Sequence, residues 1–206
     1  MNEKTIPDIV IGRLPRYLQA LEHMLQQGCT VTSSKELGEK IGISAAQIRK
    51  DLSQYGEFGK QGKGYSVPFL VHKLQQILKV DRIWDMALIG AGNLGKAIAY
   101  YQGFIDHGFR VALIFDSDPQ KVGQVINEIP VLHTSMMIET IQTHQIKIAM
   151  LTVPAQVAQS VTNQLIQAGV KAILNYAPIT LTVPDDVHVQ YIDPIIHLQR
   201  MTYYLD

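Results

Sequence analysis

Cysteine is nearly absent from this chain: Cys29 stands alone among 206 residues. One thiol excludes an intrachain disulfide framework and any cysteine-based metal cluster, and such scarcity fits a reducing compartment. No apolar run approaches the ~18 residues that a membrane-spanning helix requires. The opening Met1-Asn2-Glu3-Lys4 lacks the apolar core of a signal peptide, so a soluble, cytoplasmic protein with no membrane partner is expected. Charge of one sign is also missing, since 18 Lys and Arg face 18 Asp and Glu. An even spread of that balance would count against nucleic acid as a partner, but the spread is uneven. Residues 1–80 hold 11 basic and 7 acidic side chains, and residues 81–206 hold 7 and 11, so the two regions carry opposite charges of four. That asymmetry points to a nucleic-acid module in the first region. At 47 % hydrophobic and 17 % charged, the chain is too apolar to be disordered. Its length suits one large or two small domains of roughly 100–150 residues each.

In the first region Leu14, Tyr17, Leu18, Leu21, Met24 and Leu25 recur at helical spacing, and Gly28 follows as a stop. Ser33-Ser34-Lys35-Glu36 reads as a capping box opening a second helix, which Gly42 ends. Ser44-Ala45-Ala46-Gln47 reads as another capping box, opening a third helix through about Tyr55. Two short helices joined by a glycine-containing turn form a helix-turn-helix. On the third helix Ile48 and Leu52 face inward, leaving Gln47, Arg49, Lys50, Ser53 and Gln54 outward as candidate groove readers. The bland reading makes Arg49-Lys50-Asp51 a solvated surface. The stretch from Tyr55 to Tyr65 then places glycines where a tight hairpin needs them, with Lys60 and Lys63 near its tip and aromatics at its base. A basic hairpin behind a recognition helix is the layout of a winged helix, whose candidate DNA contacts are Lys35, Ser44, Gln47, Arg49, Lys50, Ser53, Lys60, Lys63 and Tyr65. Pro68 to Leu78 closes the unit as a helix, and a boundary follows near residue 80.

The second region opens with a strand, Met86 to Ile89, running directly into Gly90-Ala91-Gly92-Asn93-Leu94-Gly95 and a helix. Strand, G-x-G-x-x-G and helix come in the order that dinucleotide binding needs. Gly90 would make the turn, Gly92 would let the backbone approach a pyrophosphate, and Gly95 would let helix and strand pack closely. A second strand, Arg110 to Phe115, ends in Asp116, 21 residues past Gly95, where a carboxylate can bind the adenine ribose hydroxyls. Asp116 and Asp118 would repel a 2′-phosphate, which favours NAD(H) over NADP(H). Helices at 134–144 and 155–168 alternate with strands at 147–153 and 170–174, and a last strand runs from Val187 to Ile192, implying a doubly wound parallel sheet. Thr152, Val153, Pro154, Asn175 and Tyr176 lie at strand carboxyl ends, where they are candidates for the nicotinamide half of the ligand. The closing helix, Ile195 to Leu205, is apolar around much of its circumference and so calls for burial, most naturally against a partner subunit. Domains are therefore expected at 1–80 and 81–193, with the helix at 194–206 swapped into a partner.

These residues carry a resemblance. Arg13-Leu14-Pro15, Ile48 to Ser53 with the wing to Tyr65, Gly90 to Gly95, Leu151 to Pro154, and Gly169 to Pro178 together resemble the Rex family of redox-sensing transcriptional repressors. The resemblance covers nearly the whole chain and implies a homodimer on a pseudo-palindromic operator, released from DNA by NADH and bound when free or NAD⁺-loaded. It also implies a domain-swapped C-terminal helix, and switch residues at Tyr101 and Asp193. The chain departs from the family pattern in three places. Gln19 stands where a basic partner of the aspartate is usual, Pro194 follows Asp193 where an apolar residue is usual, and the wing has Gln61 for a basic residue and Lys63 at an uncharged position.

A small NAD-dependent dehydrogenase with an accessory domain is the rival reading, and a CoA-binding module another. Only a short tail follows the last strand, leaving no room for a substrate domain. His133, His144, His188 and His197 are scattered without an acid partner, so no catalytic residue and no metal ligand is expected.

Overall fold

The computed structural model describes residues 6–56, 58–60 and 64–205, with backbone alone at 59 and 60. The chain divides into two compact units, Met1–Arg82 and Ile83–Asp206.

The first unit begins with a short helix α1 (Asp8–Ile11) and the longer α2 (Leu14–Gln26), whose Leu14, Tyr17, Leu18, Leu21 and Met24 are buried as their spacing requires. A two-residue strand β1 (Val31–Thr32) leads into α3 (Ser34–Ile41) and α4 (Ala45–Leu52). The capping box at α3 is complete: Ser33 Oγ accepts the Glu36 amide at 3.1 Å, and Glu36 Oε2 accepts the Ser33 amide at 2.8 Å. At α4 only half of the expected box forms. Ser44 Oγ accepts the Gln47 amide at 3.2 Å, but the Gln47 side chain turns the other way to Asp51, so Ser44 is a simple cap. After a 3₁₀ turn at Ser53–Tyr55 come β2 (Gly59–Lys60) and β3 (Gly64–Ser66), which pair antiparallel, with β1 on the other side of β3. This is the expected wing; the calls on Gln61 and Lys63 fall outside the described residues. Helix α5 (Val67–Leu78) packs its Val67, Leu70, Val71 and Leu74 against α2, α3 and α4.

The second unit is built on strand β4 (Trp84–Ile89). Alternate residues of β4 enter different cores: Met86 and Leu88 meet Ile98 and Ala99 of α6 (Asn93–Ala99), whereas Ala87 and Ile89 join the opposite cluster. That alternation is the pleat expressed as two buried faces, and it makes the sheet doubly wound. A short helix α7 (Gly103–Asp106) precedes β5 (Phe109–Asp116), which lies parallel to β4. Next come β6 (Val125–Ile126) and β7 (Ile129–His133), an antiparallel hairpin that the sequence reading leaves as loop. Pro130 disguises β7, but its missing N–H lies outside the pairing with β5, which begins at Val131. Helix α8 (Met137–Thr143), β8 (Ile148–Leu151), α9 (Ala155–Gln167), β9 (Ala172–Asn175) and β10 (His188–Tyr191) complete a seven-stranded sheet of order β10-β9-β8-β4-β5-β7-β6. All pairings but the edge hairpin are parallel.

The final helix α10 (Pro194–Thr202) buries nothing on its own unit, with Ile195, Ile196, Leu198 and Met201 each 55–62 % exposed. Among the described residues no helix is long and apolar enough to cross a membrane, and no three His, Cys, Asp or Glu gather as metal ligands.

Candidate functional site

Parallel strands bring the carboxyl ends of β4, β5, β8 and β9 to one rim of the sheet, and a cleft of about 650 Å³ opens there. Ligands of open α/β sheets bind at this rim. The glycine-rich loop forms one wall. Gly90 has φ of 103°, and a Cβ on it would stand 2.6 Å from the Thr152 carbonyl oxygen, so the turn into α6 admits no side chain. A Cβ on Gly95 would stand 1.9 Å from the Gly90 carbonyl oxygen. Gly92 has open space where its side chain would be and lines the cleft, which is the room a pyrophosphate needs to reach the loop. Leu94 is exposed along the same wall, while Asn93 is exposed without lining the cleft.

Asp116 at the end of β5 is 8 % exposed and fastened on three sides. Its Oδ2 accepts the Ala91 amide at 2.7 Å and the Lys121 ammonium at 3.1 Å, and its Oδ1 accepts the Asp118 amide at 2.9 Å. Burial pushes its carboxyl up, but the Asp118 and Ala91 amides and Lys121 outweigh burial and hold it below the ordinary carboxylate range. Ala91 is fully buried, so its amide serves this bond and not a ligand. Thr152 is likewise partly committed: its hydroxyl donates to the carbonyls of Ile89 and Gly90 at 3.0 and 2.8 Å, tying β8 to the glycine-rich loop.

Val153, Pro154 and Tyr176 face the cleft, and burial pushes the Tyr176 hydroxyl up. Asn175 does not face it. Its side chain is 1 % exposed and spent on its own loop, donating to the Ala177 and Ile179 carbonyls and accepting the Ala177 amide. Asn175 therefore shapes the turn that presents Tyr176. Sequence reasoning missed the outer wall, where Val157, Ser160, Val161 and Gln164 make one face of α9, and it missed Lys121. The 3-1-3 spacing on α9 was a usable signal.

Tyr101 is 60 % exposed, with its ring edge-on to Phe104 at 5.0 Å. Asp193 caps α10 by accepting the Ile195 amide at 2.9 Å.

In the first unit Asp51, which the bland reading makes part of a solvated surface, is buried. Its carboxylate accepts Arg13 Nε and Nη2 at 2.6 and 2.7 Å, the Tyr17 hydroxyl at 2.6 Å and Gln47 Nε2 at 2.7 Å. Burial pushes this carboxyl up, but Arg13, Tyr17 and Gln47 outweigh it and hold it low, while the Arg13 and Tyr17 values rise. Gln47, expected outward as a groove reader, is instead a brace on α4 with its amide nitrogen turned to Asp51. Arg49 is exposed and steadied by Ser34, whose hydroxyl accepts its Nη1 at 2.9 Å. Lys35, Lys50 and Ser53 are exposed, and Ser53 Oγ donates to the Lys50 carbonyl at 2.8 Å. Tyr65 is half-buried, packed on the core of its unit beneath the wing. Lys60 lies on β2, and Lys63 is outside the described residues.

A winged helix with an exposed basic recognition helix, on one chain with a Rossmann-like sheet and its glycine-rich cleft, defines a DNA-binding protein with a nucleotide-sensing domain. Two family models match it: "Putative DNA-binding protein N-terminus" over residues 5–53 and "CoA binding domain" over residues 81–179. The redox-sensing transcriptional repressor Rex of Chloroflexus aurantiacus is 51 % identical over 97 % of this chain and 94 % of its own length. That of Brevibacillus brevis is 46 % identical over 99 % of both. Among solved structures, RSP in complex with β-NAD⁺ and operator DNA superposes with a TM-score of 0.93 at 40 % identity, covering 98 % of this chain and 94 % of RSP. RSP in complex with β-NADH gives 0.89 at 38 % identity, covering 98 % and 95 %. The chain belongs to the Rex family of redox-sensing transcriptional repressors, which are regulators and not enzymes.

Proposed function

We propose that this protein represses transcription as a cytoplasmic homodimer on a pseudo-palindromic operator and leaves DNA when NADH fills the cleft of its second unit. The observation that carries this reading is the joining, in one chain, of the exposed Arg49 and Lys50 on a capped α4 with the Gly90–Gly95 loop and Asp116. Lys35, Ser44, Arg49, Lys50, Ser53, Lys60, Lys63 and Tyr65 supply phosphate and groove contacts, and Gln47 holds α4 in place. Gly90, Gly92 and Leu94 receive the dinucleotide backbone, Asp116 takes the adenosine ribose, and Val153, Pro154 and Tyr176 surround the nicotinamide. Bound there, the dinucleotide carries the cell's redox state as ring charge: the oxidised ring is cationic and the reduced ring is neutral. An apolar wall penalises the cation more, so it favours NADH.

The preference becomes a signal only if NADH binds one arrangement of the dimer better than the other. Two recognition helices must enter successive major grooves roughly 34–36 Å apart, so an arrangement that alters their spacing loses the operator. Helix α10, apolar and uncovered, supports a swap into the partner, which would bury its four exposed apolar side chains. Tyr101, which is exposed, and Asp193, which caps α10, are proposed to take part in the switch, as the family resemblance implies. The test is anisotropy of a labelled operator duplex titrated with the protein, then with NADH or NAD⁺. Release by NADH that excess NAD⁺ opposes is the expected result. Binding indifferent to NADH overturns the sensor, and turnover of an alcohol or hydroxy acid would restore the dehydrogenase.

A further inference from the structure

Asp116 lacks the capacity to hold a ribose alone. An ionised carboxylate offers about four acceptor sites, two on each oxygen. Here Oδ2 is filled by the Ala91 amide at 2.7 Å and Lys121 at 3.1 Å, and Oδ1 already takes the Asp118 amide at 2.9 Å. A single site on Oδ1 remains, whereas a ribose presents two adjacent hydroxyls. Lys121 lines the same cleft and its side chain is 32 % exposed. Its ammonium has three protons, of which one is given to Asp116; Asp118 Oδ2, at 3.7 Å, is an ionic neighbour too distant for a hydrogen bond. Two donor protons are left beside the one free acceptor site.

We propose that Lys121 is the second half of a ribose-reading pair: Asp116 Oδ1 accepts a proton from one hydroxyl of the adenosine ribose, and the Lys121 ammonium donates to the oxygen of the other. This rests on the dinucleotide reading above and deepens it. The ion pair with Asp116 holds the ammonium against the cleft wall, so the donor is in position before the ligand arrives. Asp118, which also lines the cleft 3.7 Å from the ammonium, keeps the net charge of the trio at one negative, which disfavours a phosphate on the 2′-oxygen.

The test is competition against NADH fluorescence on the full chain, using ADP-ribose and its 2′-deoxy and 3′-deoxy forms at the adenosine ribose. Wild-type protein should bind each deoxy form about tenfold more weakly than ADP-ribose, the loss expected for one such hydrogen bond. In Lys121→Met, NADH should weaken about tenfold and one of the two deoxy penalties should vanish while the other persists. Lys121→Arg, which keeps a cationic donor, should restore both penalties and guards against a variant that simply fails to fold. Lys121→Met with wild-type NADH affinity, or with both penalties intact, overturns the proposal, the latter meaning that Lys121 acts only through Asp116. Failure of the wild-type protein to bind NADH overturns instead the dinucleotide reading beneath it.

Discussion

Replacing Asp51 with alanine tests how the recognition helix is held. The carboxylate is 1 % exposed and receives four short hydrogen bonds, from Arg13 twice, Tyr17 and Gln47. Breaking a buried ion pair by removing one partner destabilises by about 3–5 kcal/mol, mainly through the charge left behind. Arg13 is 21 % exposed and can recover some water, which places the loss near the lower end. The buried Tyr17 hydroxyl loses its acceptor as well, so about 3 kcal/mol is expected in all. For a unit of this size that is a fall in Tm of about 12–24 °C. The single tryptophan, Trp84, lies in the second unit, so helical circular dichroism should show the shift while tryptophan fluorescence shows little.

The pH dependence has a definite sign. The Asp51 carboxyl is held below its ordinary value when folded, so its stabilisation is full above the unfolded value near 4 and disappears as pH falls through the folded one. Wild type and Asp51→Ala should therefore differ by a constant amount from neutral pH down to about 5, then converge in more acid solution. A helical transition within about 0.5 kcal/mol of wild type at pH 7 would refute the account of this network.

Gly95→Ala should abolish NADH binding measured by fluorescence while leaving DNA binding in place, because its Cβ would stand 1.9 Å from a backbone oxygen that anchors the loop. Arg49→Ala should weaken operator binding by anisotropy and flatten its salt dependence, with NADH affinity unchanged. Truncation after Asp193 removes the apolar α10 and should convert a dimer to a monomer in sedimentation; a truncated dimer would contradict the swap.

What the sequence made legible follows from where the physics is local. The Ser33–Glu36 box, the inward face of α2 and the glycine-rich turn depend on residues within a few positions of one another, and each forms as its pattern requires. Side-chain direction is harder to read, even where the partner is close in sequence. Gln47 and Asn175 look like ligand-facing amides, yet each turns to a polar group four residues on, the Asp51 carboxylate and the Ile179 carbonyl. Asp51 sits in a run of charges but lies three positions from Ile48, on the helix's inward face, and its burial is made tolerable chiefly by Arg13 and Tyr17, 38 and 34 residues away. Strand β7 was hidden because Pro130 is a poor strand former, and its place beside β5 is a tertiary fact.

The most direct test of the central claim is reciprocity between the two sites. NADH affinity should be measured on the full chain, free and saturated with operator duplex. If NADH weakens operator binding by some factor, operator must weaken NADH binding by that same factor, because coupling free energy is shared. The account predicts equal factors above one for NADH and a much smaller factor for NAD⁺. NADH affinity unchanged by operator would contradict it.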